Sequence, residues 1–148
     1  MEHTFVAIVF AIVLITGCAN QGVGNVGVSG LKNNTAIEKL EIYHFHAAKQ
    51  CASCIAVGNL AEETVNTYFA DELKSGRIVF GHINGELPEN KDLVTKYGVT
   101  GSSLWLGSYT KDGQFHAEEN VNVWYKISDK SDYMTYLKSV IEQKLAGN

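Results

Sequence analysis

Cys51-Ala52-Ser53-Cys54 sets two thiols two residues apart, where the apolar segment Leu40-Glu41-Ile42-Tyr43-His44-Phe45 gives way to a helical pattern. At a helix start the first thiol lies against backbone N–H groups that lack intrahelical partners, and against the positive end of the helix dipole. Both favour its thiolate and make it a nucleophile. The second thiol, one turn further on, is near enough to close a small disulfide ring. This is an arrangement for thiol–disulfide exchange, with Cys51 attacking and Cys54 resolving. Lys49 lies close enough to favour the thiolate further.

The same sulfurs also suit a soft metal. His44 and His46 stand two apart and share one face of a strand, so with Cys51 and Cys54 they would complete a site for copper or zinc. The commoner arrangement of such a pair has one histidine packed beneath the helix and the other at the rim of the site. There His46, whose charge changes near neutral pH, would serve as a proton shuttle. A third possibility is a tethered, non-catalytic module in which the disulfide is only structural. His82 and His116 are isolated in sequence and receive no functional assignment. Ser102 and Ser103 have neither the glycine elbow nor the paired base of a serine hydrolase.

The chain that must position these groups has 148 residues, room for one domain with an adequate core. Its 12 Lys and Arg against 16 Asp and Glu give a net charge of −4 without a basic stripe, which argues against a nucleic-acid partner. No cofactor motif is present.

Three cysteines leave one outside the pair, and its surroundings account for it. Phe5 to Ile15 is an apolar run of 11 residues, too short to span a bilayer but suited to the core of a secretory signal. Leu14-Ile15-Thr16-Gly17-Cys18 resembles a bacterial lipobox, although Met1-Glu2-His3 lacks the expected basic residue. The segment to Gly17 thus reads as a signal peptide, with Cys18 as the site of lipid attachment. Residues 18–36, rich in Gly and Asn, read as a flexible tether, and the folded domain as 37–148. The resulting expectation is an extracytoplasmic, membrane-anchored lipoprotein, with plain secretion or a periplasmic location as the alternative. In such a compartment a cysteine pair can cycle as a disulfide.

Along that domain, Leu40–Phe45 is expected as a strand and Cys54 to Lys74 as one long helix. Its stripe is Leu60, Val65, Tyr68, Phe69 and Leu73, stopped at Ser75-Gly76. Arg77–Asn84 follows as a strand and Glu89–Tyr97 as a short helix closed by Gly98. Ser103–Tyr109 and a returning strand from Phe115 and Asn120–Trp124 flank the turn Lys111-Asp112-Gly113-Gln114. Ser131 is expected to cap a last helix carrying Met134, Leu137, Val140, Ile141 and Leu145. Trp105, Trp124 and the tyrosines around them read as core. The order β-α-β-α-β-β-α implies an α/β fold with a mixed four-stranded sheet covered on both faces.

With Cys-x-x-Cys at the end of the first strand, this order resembles the thioredoxin fold. A second segment, Lys96-Tyr97-Gly98-Val99-Thr100-Gly101-Ser102-Ser103-Leu104-Trp105-Leu106, looks like the thioredoxin stretch entering the third core strand. The resemblance covers Glu38 to Leu145. More narrowly, Tyr43-x-Phe45-His46 ahead of Cys-x-x-Cys is similar to the small thioredoxin-like ArsF family, labelled nitrophenyl compound nitroreductase subunits. No flavin or nicotinamide motif accompanies it here. The resemblance implies a thiol–disulfide oxidoreductase acting on protein thiols and disulfides with a recharging redox partner, as a monomer and without a cofactor.

The chain departs from the thioredoxin pattern at several positions. Gln50 stands for the Trp before the first cysteine, and Ala52-Ser53 for Gly-Pro between the pair. Phe45 stands where the family has a buried carboxylate that moves protons, which leaves His46 as the nearby substitute. Ser103 replaces the cis-proline facing the disulfide. A cis bond before serine costs about 2.5–4 kcal/mol, so the Ser102–Ser103 peptide is expected to be trans and the active-site loop differently shaped.

Overall fold

A computed structural model describes residues 36–147. The apolar run 5–15, Cys18 and nearly all of the expected tether fall outside the described residues.

β1 (Ile37–His46) carries large side chains that the strand's period of two sorts onto two faces. Leu40, Ile42 and His44 lie on one face, and Glu41, Tyr43 and Phe45 on the other. β2 (Ile78–Asn84) runs parallel to β1, with Leu40 opposite Ile78 and His44 opposite His82. β3 (Ser103–Thr110) pairs antiparallel with the other edge of β1, and β4 (Phe115–Glu119) pairs antiparallel with β3. The sheet order is therefore β2-β1-β3-β4. This mixed four-stranded α/β sheet, a parallel pair joined to a hairpin, is the thioredoxin-like arrangement that the sequence implies.

Helices α1 (Ala52–Tyr68) and α4 (Lys130–Leu145) cover the Leu40 face. Val57, Ala61 and Val65 from α1 meet Tyr133, Leu137 and Ile141 from α4 over Leu40, Ile42, Leu104 and Leu106. Each large aliphatic side chain so buried contributes about 1.5–3 kcal/mol of transfer free energy. The opposite face carries an aromatic layer. Tyr97, the last residue of α3 (Lys91–Tyr97), packs there against Tyr43, Phe45, Trp105 and Phe115.

Several elements differ from their sequence expectation. The single long helix is broken at Phe69 (φ −133°, ψ 33°), and α2 (Ala70–Ser75) follows. The break lets Phe69 enter the core while Tyr68 stays 44 % exposed, so Tyr68 leaves the expected stripe. Small residues, Gly58, Ala61 and Thr64, make the close helix–sheet contact instead. The returning strand is Phe115–Glu119 rather than Asn120–Trp124; Val121–Tyr125 is a 3₁₀ turn. Alternating Val121 and Val123 imitate a strand, but the turn serves to drop Val123 into the core under α1 and α4. Asp129, not Ser131, caps α4, its Oδ1 accepting from the Asp132 N–H at 3.0 Å. Extended backbone at Asp129 places its carboxylate within reach of the third N–H, whereas Ser131 already lies inside the first turn. The hairpin closes as expected through Gly113 at φ 83°.

Candidate functional site

The site forms where β1 ends and α1 begins. Residues 47–50 carry the chain from strand to helix, and Glu86 from the segment after β2 holds this loop by accepting from the Ala48 N–H at 2.9 Å. Cys51 is the N-cap of α1, with extended backbone (φ −76°, ψ 161°). Its Sγ accepts from the Cys54 N–H at 3.1 Å, so the sulfur occupies the position of a capping oxygen. Cys51 and Cys54 are joined as a disulfide, with their Cα atoms 5.0 Å apart. Cys51 is exposed and Cys54 half-buried. A helix start favours negative charge on a sulfur in this position.

His44 packs beneath α1, 1 % exposed, with a ring that fits only because position 58 is glycine. A Cβ at Gly58 would overlap Nδ1 and come within 2.7 Å of Cε1. Cys54 precedes Gly58 by one helical turn on the same face, and its backbone lies against the imidazole. The Nδ1 atoms of His44 and of its cross-strand partner His82 are 3.1 Å apart. His82 Nε2 is in turn 3.3 Å from Glu62 Oε2 on the exposed side of α1. His44 Nε2 is the one buried side-chain nitrogen or oxygen without a partner among the described residues. Burial, then the rings of His82 and His46, push the His44 imidazole down to about 4, against a smaller upward pull from the Cys54 backbone.

His46 is half-buried, and its Nδ1–H donates to the Ala47 carbonyl at 2.9 Å. It borders a cavity of about 260 Å³ lined also by Phe45, Val94, Val99 and Ser102; neither cysteine lines it. His44 thus lies under the helix, while His46 borders a cavity away from the cysteine pair. Ser103 is buried, paired with Phe45 across the sheet. Its hydroxyl donates to the Gly101 carbonyl at 3.0 Å and accepts from Trp105 Nε1 at 2.9 Å. Of the two loop serines, only Ser102 faces the cavity. Among the described residues no three of His, Cys, Asp and Glu come together as a group able to hold a metal ion.

Two features escaped sequence reasoning. His82 joins His44 only through parallel pairing of β1 with β2, and no local spacing announces it. Glu41 is 6 % exposed on the aromatic face. Its carboxylate accepts from Lys39 Nζ at 2.7 Å, Tyr97 Oη at 2.8 Å and Tyr109 Oη at 2.9 Å. Burial alone would raise its pKa, but these hydrogen bonds outweigh burial and hold it below the usual carboxylate range.

No family model matches the chain, and no curated protein matches it. Among solved structures it is similar to the Trx4 domain of ERdj5, at 16 % identity over 73 % of this chain and 81 % of that one, with a TM-score of 0.49. The fold assignment stands on the strand order and directions described above.

Proposed function

We propose that this chain is a thiol–disulfide oxidoreductase in which Cys51 attacks and Cys54 resolves. The observation that supports it most is the asymmetry of the pair: an exposed sulfur at the N-cap of α1, bonded to a half-buried sulfur one turn deeper. The reduced Cys51 thiolate attacks a substrate disulfide, forming a mixed disulfide and releasing one substrate thiolate. Cys54 then attacks Cys51 Sγ, which releases the second thiolate and closes the Cys51–Cys54 bond. Two electrons pass from the dithiol to the substrate. The cavity beside His46 and Ser102 offers room for a side chain of a protein substrate. Alkylation of the reduced protein across a range of pH tests this reading. Cys51 should react as a thiolate below the ordinary thiol value of about 8.5, and the protein should reduce insulin disulfides. An unshifted Cys51 together with no reductase activity overturns it and leaves a structural disulfide.

The export signal and lipobox extend the proposal to a protein held at an extracytoplasmic membrane surface by lipid on Cys18, its domain reaching protein thiols through the tether. A Cys18→Ser variant should leave the membrane fraction; if it stays bound, the lipid anchor is wrong.

A further inference from the structure

Among the residues lining the cavity beside His46, Glu86 alone carries a carboxylate, and none is a lysine or arginine. The turn after β2 fixes Glu86 in place. Its N–H donates to Asn84 Oδ1 at 3.0 Å, and its Oε2 accepts from the Ala48 N–H at 2.9 Å, next to Ala47 in the cavity wall. Oε1 is left without a hydrogen-bond partner, and no cation, Lys49 of the same loop included, pairs with Glu86 among the described residues. Glu86 is exposed, so its carboxylate stands where the cavity meets solvent. Phe45, Val94 and Val99 give the same cavity apolar surface. A lysine or arginine matches this combination, its stem lying across the apolar surface and its head reaching the carboxylate at the rim.

Size and reach fit one side chain of a bound protein. At about 260 Å³ the cavity is smaller than the roughly 300–1,000 Å³ that enclose a whole small ligand. Ala47 lies four residues before Cys51, and four residues span at most about 14 Å. An extended peptide advances about 3.3 Å per residue. A substrate bonded to Cys51 through its own cysteine therefore brings a side chain about four residues away to the cavity wall.

We propose that Glu86 determines substrate specificity: the cavity takes a lysine or arginine lying within about four residues of the substrate cysteine. The proposal rests on the oxidoreductase reading and names the class of protein disulfide it serves. Glu86 touches the substrate side chain and takes no part in the exchange between sulfurs.

Short peptides with a single cysteine, held as a disulfide with a chromogenic nitrobenzoate thiol, test this on the reduced full chain. Cys51 attacks the peptide sulfur, and the aryl thiolate leaves with the electron pair and reports the rate. Arg, Gln, Glu and Leu are placed in turn at each position up to four residues either side of the cysteine. At the favoured position Arg should exceed Gln in second-order rate constant by about two- to fivefold, the range for an exposed ion pair, and Glu should fall below Gln. The advantage of Arg should shrink as salt is raised. Glu86→Gln keeps an oxygen for the Ala48 N–H but loses the charge, and should remove that advantage. The ratio of Arg to Gln rates is the readout, because a loosened loop slows both peptides alike. Equal rates for Arg and Gln at every position, or an Arg advantage that survives Glu86→Gln, overturns the assignment. Leu outrunning Arg at every position makes the occupant apolar and overturns it too. Absence of aryl thiolate release from every peptide overturns the oxidoreductase reading instead.

Discussion

On the aromatic face of β1, Glu41 is surrounded by donors; on the helix-covered face, His44 is left one partner short. The two are three residues apart on one strand and almost equally hidden, at 6 % and 1 % exposure. Glu41 keeps its charge because Lys39, Tyr97 and Tyr109 hydrogen-bond it and Lys96 stands 3.7 Å away. His44 loses its charge because burial and two neighbouring imidazoles oppose protonation. Saturation makes a buried ionisable group part of the scaffold. An unfilled bond costs about 1–3 kcal/mol and is tolerated where it serves another purpose. The unfilled one lies under α1.

The largest effect expected from this contrast is on Glu41. Glu41→Ala leaves two tyrosine hydroxyls and a lysine without their shared acceptor and should cost about 3–5 kcal/mol in urea denaturation. His44→Leu removes an unpaired nitrogen at similar volume, so the same measurement should move by less than about 1 kcal/mol at neutral pH. Equal losses at the two positions would break the distinction.

Next in size is the pH dependence of stability. His44 stays neutral in the fold down to about 4, whereas an unfolded imidazole charges near 6.5. Between those values the unfolded chain binds the extra proton, so stability falls as pH falls through this window, by up to about 3 kcal/mol. Glu41 acts lower: its contribution is full above the ordinary carboxylate range and is lost as pH drops through its depressed folded value. Urea midpoints measured from neutral to acid should show both losses, and His44→Leu should erase only the upper one. An upper slope that survives in His44→Leu assigns it to another group.

The order of elements and the placement of the cysteine pair were legible because they depend on neighbours in sequence. Period-two alternation in β1, Asp112-Gly113 at the hairpin and Gly98 closing α3 each act within a few residues. The misread elements were settled by contacts made at a distance. Phe69 breaks a pattern that locally favours one long helix because the core has a place for its ring, and Val123 turns inward for the same reason. The candidate site divides similarly. Cys51 and Cys54 declare themselves by spacing, and the shared strand face of His44 and His46 follows from their standing two apart. That His82 faces His44 depends on parallel register between strands 38 residues apart, which no spacing encodes. Glu41 reads as one polar residue in a strand until Tyr97 and Tyr109 are brought to it.

Two glycines make room for these groups. A Cβ at Gly107 would overlap the Tyr97 hydroxyl and come within 2.8 Å of Cζ. Tyr97 can yield only by leaving Glu41, so Gly107→Ala should cost about 3 kcal/mol, at the upper end for overpacking. Gly58 is the subtler case. In an ordinary helix interior Gly→Ala stabilises by about 0.5–1 kcal/mol. Here the methyl group meets the His44 ring, and Gly58→Ala should instead destabilise by about 1 kcal/mol as the ring is forced aside. In a His44→Ala background the obstruction is gone, and the same substitution should regain its ordinary stabilising sign. That reversal, read from a double-mutant cycle in urea, attributes the glycine to the imidazole. If Gly58→Ala destabilises equally in both backgrounds, the tight fit beneath α1 has another cause.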